Sequence, residues 1–168
     1  MYEINPGGNR RVGMFYLINP DTGTHDVVIT ASGAVTLEIN GVSASYTGVL
    51  QTGFPDAKED DAIATDGTIT TTVVTVLDNC WLAGIGWSNE ASPSITAGAN
   101  TTLRTNNDGT YSDIATFDSN AQKTPAGSYA LACVVETNGY FMVASFGPSV
   151  AAGGSARDGR LLNLLGVG

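Results

Sequence analysis

Basic residues are scarce in this chain: seven Lys and Arg stand against sixteen Asp and Glu in 168 residues, a formal net charge of -9. A surface of that sign repels phosphate backbones and anionic lipid headgroups, so neither nucleic acid nor a membrane surface is an expected partner. Charge of either sign is thin, at 14% of residues, and the Glu, Lys, Ala and Leu that build helical bundles give way to Thr, Ser, Gly and Val. Histidine occurs once and cysteine twice, which excludes both the three or four N or S ligands of a zinc site and a disulfide framework. No run reaches the roughly 18 apolar residues of a membrane span, and Met1 to Arg11 lacks the apolar core of a signal peptide. The expectation is a soluble chain of one compact domain.

Hydrophobic residues still make up 42% of the chain, and they fall in strand-like patterns. Val12 to Ile18 is an apolar β-rich run closed by the turn formers Asn19-Pro20-Asp21-Thr22-Gly23. Thr24 to Thr30, then Val35, Leu37 and Ile39, show period-2 alternation, and Val42 to Val49 continues it less cleanly. Gln51 to Gly67 has no periodicity and reads as the longest loop. Thr68 to Leu77, Cys80 to Trp87, Ile95 to Thr105, Thr110 to Asp118, Ser128 to Glu136 and Tyr140 to Phe146 complete the strands. Asn106-Asn107-Asp108-Gly109 and Thr137-Asn138-Gly139 predict two hairpins. About nine strands without an amphipathic helix predict an all-β fold, an antiparallel β-sandwich of jelly-roll type. Residues 1–10 read as an N-terminal extension and 11–148 as the sandwich. Residues 149–168 read as a flexible Gly/Ala/Ser linker that ends in an apolar peptide.

Candidate sites are few. Asp56, Glu59, Asp60 and Asp61 offer the hard oxygen ligands calcium takes; their spacing matches no ion-binding motif, a solvated acidic loop is the competing reading, and no cofactor is expected. Trp87 or Trp81, with Tyr46, Tyr111 and Tyr140, would form an aromatic platform for sugar rings if the Trp were exposed, whereas burial in the core is the ordinary fate of such a Trp. Cys80 and Cys133 sit in apolar runs, either as buried free thiols or, if their strands adjoin, as a disulfide. His25 has no nucleophile motif beside it, and nothing places Glu38 opposite Glu136 as a glycosidase pair, so no catalytic residue is expected. Leu161, Leu162, Leu164, Leu165 and Val167 form an apolar peptide suited to docking on a partner.

The segments Met14-Phe15-Tyr16-Leu17-Ile18-Asn19-Pro20-Asp21-Thr22-Gly23-Thr24 and Ser45-Tyr46-Thr47-Gly48-Val49 resemble a family of jelly-roll β-sandwich domains found in phage, environmental virus-like and bacterial secreted proteins. The resemblance spans about Arg11 to Pro148 and implies a fold, with no site residues to carry over. Those domains carry further strands ahead of the segment matching Met14, so the resemblance also implies an incomplete sheet whose border another chain covers. The expected function is a non-enzymatic structural or decoration protein of a virion or other extracellular assembly, acting as a homo-oligomer or within a larger particle. A secreted carbohydrate-binding or adhesion module is the alternative.

Overall fold

The computed structural model describes residues 11–30, 32–35, 38–53, 55–90 and 95–149, together with the backbone of a first strand at 2–4. Ten strands make up the regular structure, and no helix occurs among the described residues. They are β1 (Tyr2–Ile4), β2 (Val12–Met14), β3 (Ala57–Ile63), β4 (Gly67–Val74), β5 (Trp81–Ser88), β6 (Ile95–Ala97), β7 (Thr102–Asp108), β8 (Asp113–Asp118), β9 (Ser128–Val135) and β10 (Gly139–Phe146). A five-stranded sheet ordered β3-β10-β5-β8-β7 faces a three-stranded sheet ordered β4-β9-β6, and β1 pairs with β2 in a small ribbon. All pairings are antiparallel. Strands β3 to β6 alternate between the two sheets, as do β8, β9 and β10, which is the sandwich of jelly-roll type that the alternation predicts.

The core lies between the sheets. Phe117 and Phe141 meet edge to face, centroids 5.5 Å apart, among Ile69, Val73, Leu82, Ile95, Leu131, Val135 and Val143. Two glycines of β5 make room for these rings: a Cβ on Gly84 would lie 2.6 Å from Phe141 Cε2, and one on Gly86 would lie 2.9 Å from Phe117 Cε2. In β4 the inward Ile69, Thr71 and Val73 alternate with exposed Thr68, Thr70, Thr72 and Val74, because only one of its faces is covered. Every residue of β8 is buried, as is nearly all of β10. These strands are therefore covered on both faces, and the cover on the outer side is the N-terminal segment.

Several elements depart from the sequence reading. The strand expected over Val12 to Ile18 stops at Met14, and no strand forms among the described residues of 15–48. Within it, residues 38 to 46 lie against the outer face of the five-stranded sheet, fastened there by side chains. Part of the expected N-terminal extension is strand β1, which pairs Tyr2 with Met14 and Ile4 with Val12. The expected acidic loop is strand β3, at the border of the larger sheet. A hairpin does join β7 to β8, but its turn is Gly109 to Ser112 and not Asn106 to Gly109: Asn106 to Asp108 belong to β7, with Asp108 opposite Asp113. The one expected at Asn138-Gly139 is absent: β9 and β10 lie in different sheets, and the segment is an arch between them. Neither residue takes the positive φ that a tight hairpin turn needs. Instead, the missing Cβ of Gly139 lets the Trp87 carbonyl and Val135 pack where a side chain would stand.

Both cysteines are free and buried. Cys80 precedes β5, whereas the Cys133 sulfur lies 3.7 Å from where a Cβ on Gly86 would stand. That is six residues along the same strand, about 20 Å at strand rise, far beyond disulfide reach. Burial pushes the Cys133 thiol up to about 12; burial and the neighbouring Asp56 carboxylate push Cys80 up to about 11. Neither is a thiolate nucleophile near neutral pH.

Candidate functional site

The outer face of the five-stranded sheet, with the segment laid over it, gathers most of the molecule's unexplained chemistry. At one end, Val12 packs with Trp87 and Met142, flanked by Met14 and Tyr140. At that same end Glu38 reaches the turn between β7 and β8. Its carboxylate accepts hydrogen bonds from Thr110 N (2.7 Å), Tyr111 N (3.3 Å) and the Ser112 hydroxyl (2.6 Å). Burial opposes ionisation of Glu38, but the donors from Ser112, Thr110 and Tyr111 outweigh it and hold the carboxyl below its ordinary 4.5. Asn40 extends the clamp by donating to the carbonyls of Asn107 (3.0 Å) and Ser112 (3.1 Å). Residues 38 to 46 then run the length of the sheet to its opposite end, where Tyr46 packs on Phe146 with centroids 4.7 Å apart.

At that end an open cleft of about 480 Å³ is lined by Ser43, Ala44, Ser45, Tyr46, Trp81, Arg104, Thr105 and Asp118. Its polar centre is a forked ion pair. Arg104 Nε donates to Asp118 Oδ2 at 2.6 Å, and Nη2 donates to Asp118 Oδ1 at 2.8 Å and to Asn120 Oδ1 at 2.9 Å. The fork depends on a local irregularity: the β7–β8 register shifts between Leu103 and Thr105, leaving Arg104 as an extra residue. Such a bulge re-aims a side chain, here onto Asp118. The Arg104 side chain is 39% exposed and that of Asp118 only 4%, so the pair presents its cationic side to solvent. Tyr46 contributes a buried hydroxyl without a partner among the described residues. Burial and the Asp118 carboxylate push it up to about 12, so it stays a neutral donor.

The sequence-predicted residues fall elsewhere. Strand geometry disperses the acidic cluster: Asp60 shares one face of β3 with Lys58 and Ala62, while Glu59 and Asp61 take the other. Asp56 Oδ2 is engaged internally, accepting from Val76 N (2.9 Å), Ser145 Oγ (3.1 Å) and Cys80 Sγ (3.6 Å). No group of three or more His, Cys, Asp or Glu suited to a metal occurs among the described residues. Trp87 and Tyr140 do come together, centroids 6.1 Å apart, but Trp87 is 7% exposed, since Val12 packs over it. Tyr111 stands exposed in the β7–β8 turn. His25 is exposed, its Nε2 3.4 Å from the Thr22 carbonyl oxygen. Glu38 is committed to the β7–β8 turn, and Glu136 lies in the β9–β10 arch. The peptide Leu161, Leu162, Leu164, Leu165 and Val167 lies outside the described residues.

Sequence reasoning missed the Arg104–Asp118 fork and the anchoring role of Glu38. A readable signal existed for the second: Cys80 to Trp87 and Tyr140 to Phe146 are almost continuously apolar, the mark of strands covered on both faces. Comparison of the chain with protein families, curated proteins and solved structures found no match.

Proposed function

We propose that this protein is a non-enzymatic assembly component whose N-terminal layer docks against further copies of the same chain. It is the kind of sandwich that builds or decorates an extracellular particle such as a virion surface. One observation carries this reading: of the fourteen large hydrophobic side chains exposed among the described residues, nine lie between Phe15 and Ile39. Phe15, Leu17, Val27 and Val28 are each between 69% and 81% exposed. A concentration of apolar surface on one segment marks a contact region, whereas scattered single residues need no explanation.

The choice of a second copy as occupant rests on two features. Residues 24–30 carry a strand-like alternation without a ladder, and the same chain supplies a border suited to a strand. Of the three long outermost strands, β3 carries Lys58, Glu59, Asp60 and Asp61 and β7 carries Arg104 and Asp108, charges that resist edge pairing. Strand β4 is uncharged and built of Gly, Thr, Ile and Val. An apolar segment on one copy and an open strand edge on another are the ingredients of strand addition between chains.

The expected result is self-association by light scattering at about 10 µM, reversed by the paired substitution Leu17→Lys and Val28→Lys. Both side chains are at least 77% exposed, so the fold survives the change. Loss of two apolar anchors should weaken association at least ~100-fold. A monodisperse 17.3 kDa monomer at roughly 100 µM, on the scale of weak homodimers, would refute the assembly reading.

A further inference from the structure

We infer that the cleft at the Trp81 end of the outer face is a binding site for a neutral pyranose sugar. This proposal does not depend on the assembly reading, because the cleft residues are distinct from the apolar stretch between Phe15 and Ile39.

Three properties select the ligand. The first is charge: Arg104 is neutralised by Asp118 in a two-bond fork, and the chain as a whole carries -9. An anionic ligand would find no uncompensated cation and a repulsive field around it. The second is the mixture of surfaces. Half-buried Trp81 and Tyr46 line the cleft together with the hydroxyl-bearing residues Ser43, Ser45 and Thr105. A pyranose offers the matching pair of features, a C–H face to stack on an aromatic ring and a rim of hydroxyls.

The third property is preorganised hydrogen bonding. Asp118 is held by Arg104 and by Asn120 N at 2.7 Å, so its carboxylate is fixed before any ligand arrives. Arg104 commits Nε and Nη2 to that network, while Nη1 keeps two N–H donors outside it. A planar donor held in place by a buried carboxylate is a geometry suited to the oxygen of a sugar hydroxyl, which accepts from it. Tyr46 also lines the cleft, and its buried hydroxyl, without a partner among the described residues, is an unmet hydrogen bond that a water carried in with a ligand can complete. The bulge at Arg104 fits the same purpose, since it departs from the regular ladder to create this fork.

The test uses the full chain and three neutral probes: methyl β-D-glucopyranoside, methyl β-D-galactopyranoside and methyl α-D-mannopyranoside. N-acetylneuraminic acid serves as the anionic comparison. Nitrogen-15 NMR spectra are recorded during titration to about 50 mM, a range set by the millimolar affinity expected of a ligand of this size. At least one neutral glycoside should give saturable shifts of the Trp81 indole and the amides of Ser43 to Tyr46 and Arg104, with a Kd on the order of 1 mM. The Trp87 indole, at the far end of β5, should not move. Trp81→Leu should weaken binding roughly tenfold, and Thr105→Val, a milder change at the rim, should weaken it by a smaller factor in a protein with an otherwise unchanged spectrum. No saturable shift with any of the three glycosides overturns the proposal. So do shifts centred on Trp87, a Kd that is unchanged in both variants, or tighter binding of N-acetylneuraminic acid than of every neutral probe.

Discussion

Replacing Phe141 by alanine is expected to lower the free energy of unfolding by about 3–5 kcal/mol, the largest loss for a single side chain in this sandwich. The ring is fully buried and stands edge to face with Phe117, so truncation removes both its burial and an aromatic contact. Neighbouring β10 and β5 are paired along their whole lengths, and a sheet held on both sides cannot collapse into the void. Denaturant titration should show a lower midpoint at an unchanged slope. The matching glycine makes the argument sharper. Gly84→Ala alone should cost about 1–3 kcal/mol, since the new methyl would meet Phe141 Cε2 at 2.6 Å and Cζ at 2.8 Å. In the Phe141→Ala background the same methyl enters empty space, so the two losses should fall short of additive by about 1 kcal/mol or more. Simple additivity would show that the ring does not lie over Gly84.

Glu38→Gln is expected to cost about 2 kcal/mol near neutral pH and almost nothing in acid. In the folded protein the carboxylate collects donors from Thr110, Tyr111 and Ser112, which hold its pKa below the ordinary 4.5 despite burial. A depressed acid stabilises the fold above its unfolded pKa, and that contribution is lost as pH falls through the folded value. The gap between wild type and variant should therefore be full above about pH 5 and close progressively below 4.5. Denaturation midpoints across that range measure it. Amide exchange at Thr110 to Ser112 should quicken in the variant at neutral pH, because the turn loses its clamp. A gap independent of pH would mean that Glu38 acts through packing alone.

How legible the molecule was in its sequence varied by element. The β7–β8 hairpin was readable because Asp108-Gly109 marks a turn between adjacent strands, a local event, although the turn itself is Gly109 to Ser112 and Asn106 to Asp108 extend β7. The alternation of Thr and apolar residues in β4 fixed its inward face, and the apolar surroundings of Cys80 and Cys133 announced their burial. The acidic strand β3 was not readable: a border strand with charged residues on both faces has neither an apolar period nor a turn pattern to mark it. Asn138-Gly139 carried the strongest short hairpin signal, yet the chain uses it to cross between sheets. The Arg104 fork was invisible too, because it depends on a one-residue shift against β8.

The sequence by itself therefore determined that the chain is all-β, which face of β4 turns inward, and that the two cysteines are buried. Only the tertiary structure decided which strands adjoin, that residues 38–46 lie across a sheet outside any ladder, and that Tyr46, Trp81, Arg104 and Asp118 share one cleft. The reason is physical. Side-chain alternation is a property of two neighbouring residues and is written locally, whereas a strand's N–H and C=O groups are satisfied equally well by any partner strand. The choice among partners is made by packing between segments far apart in the chain.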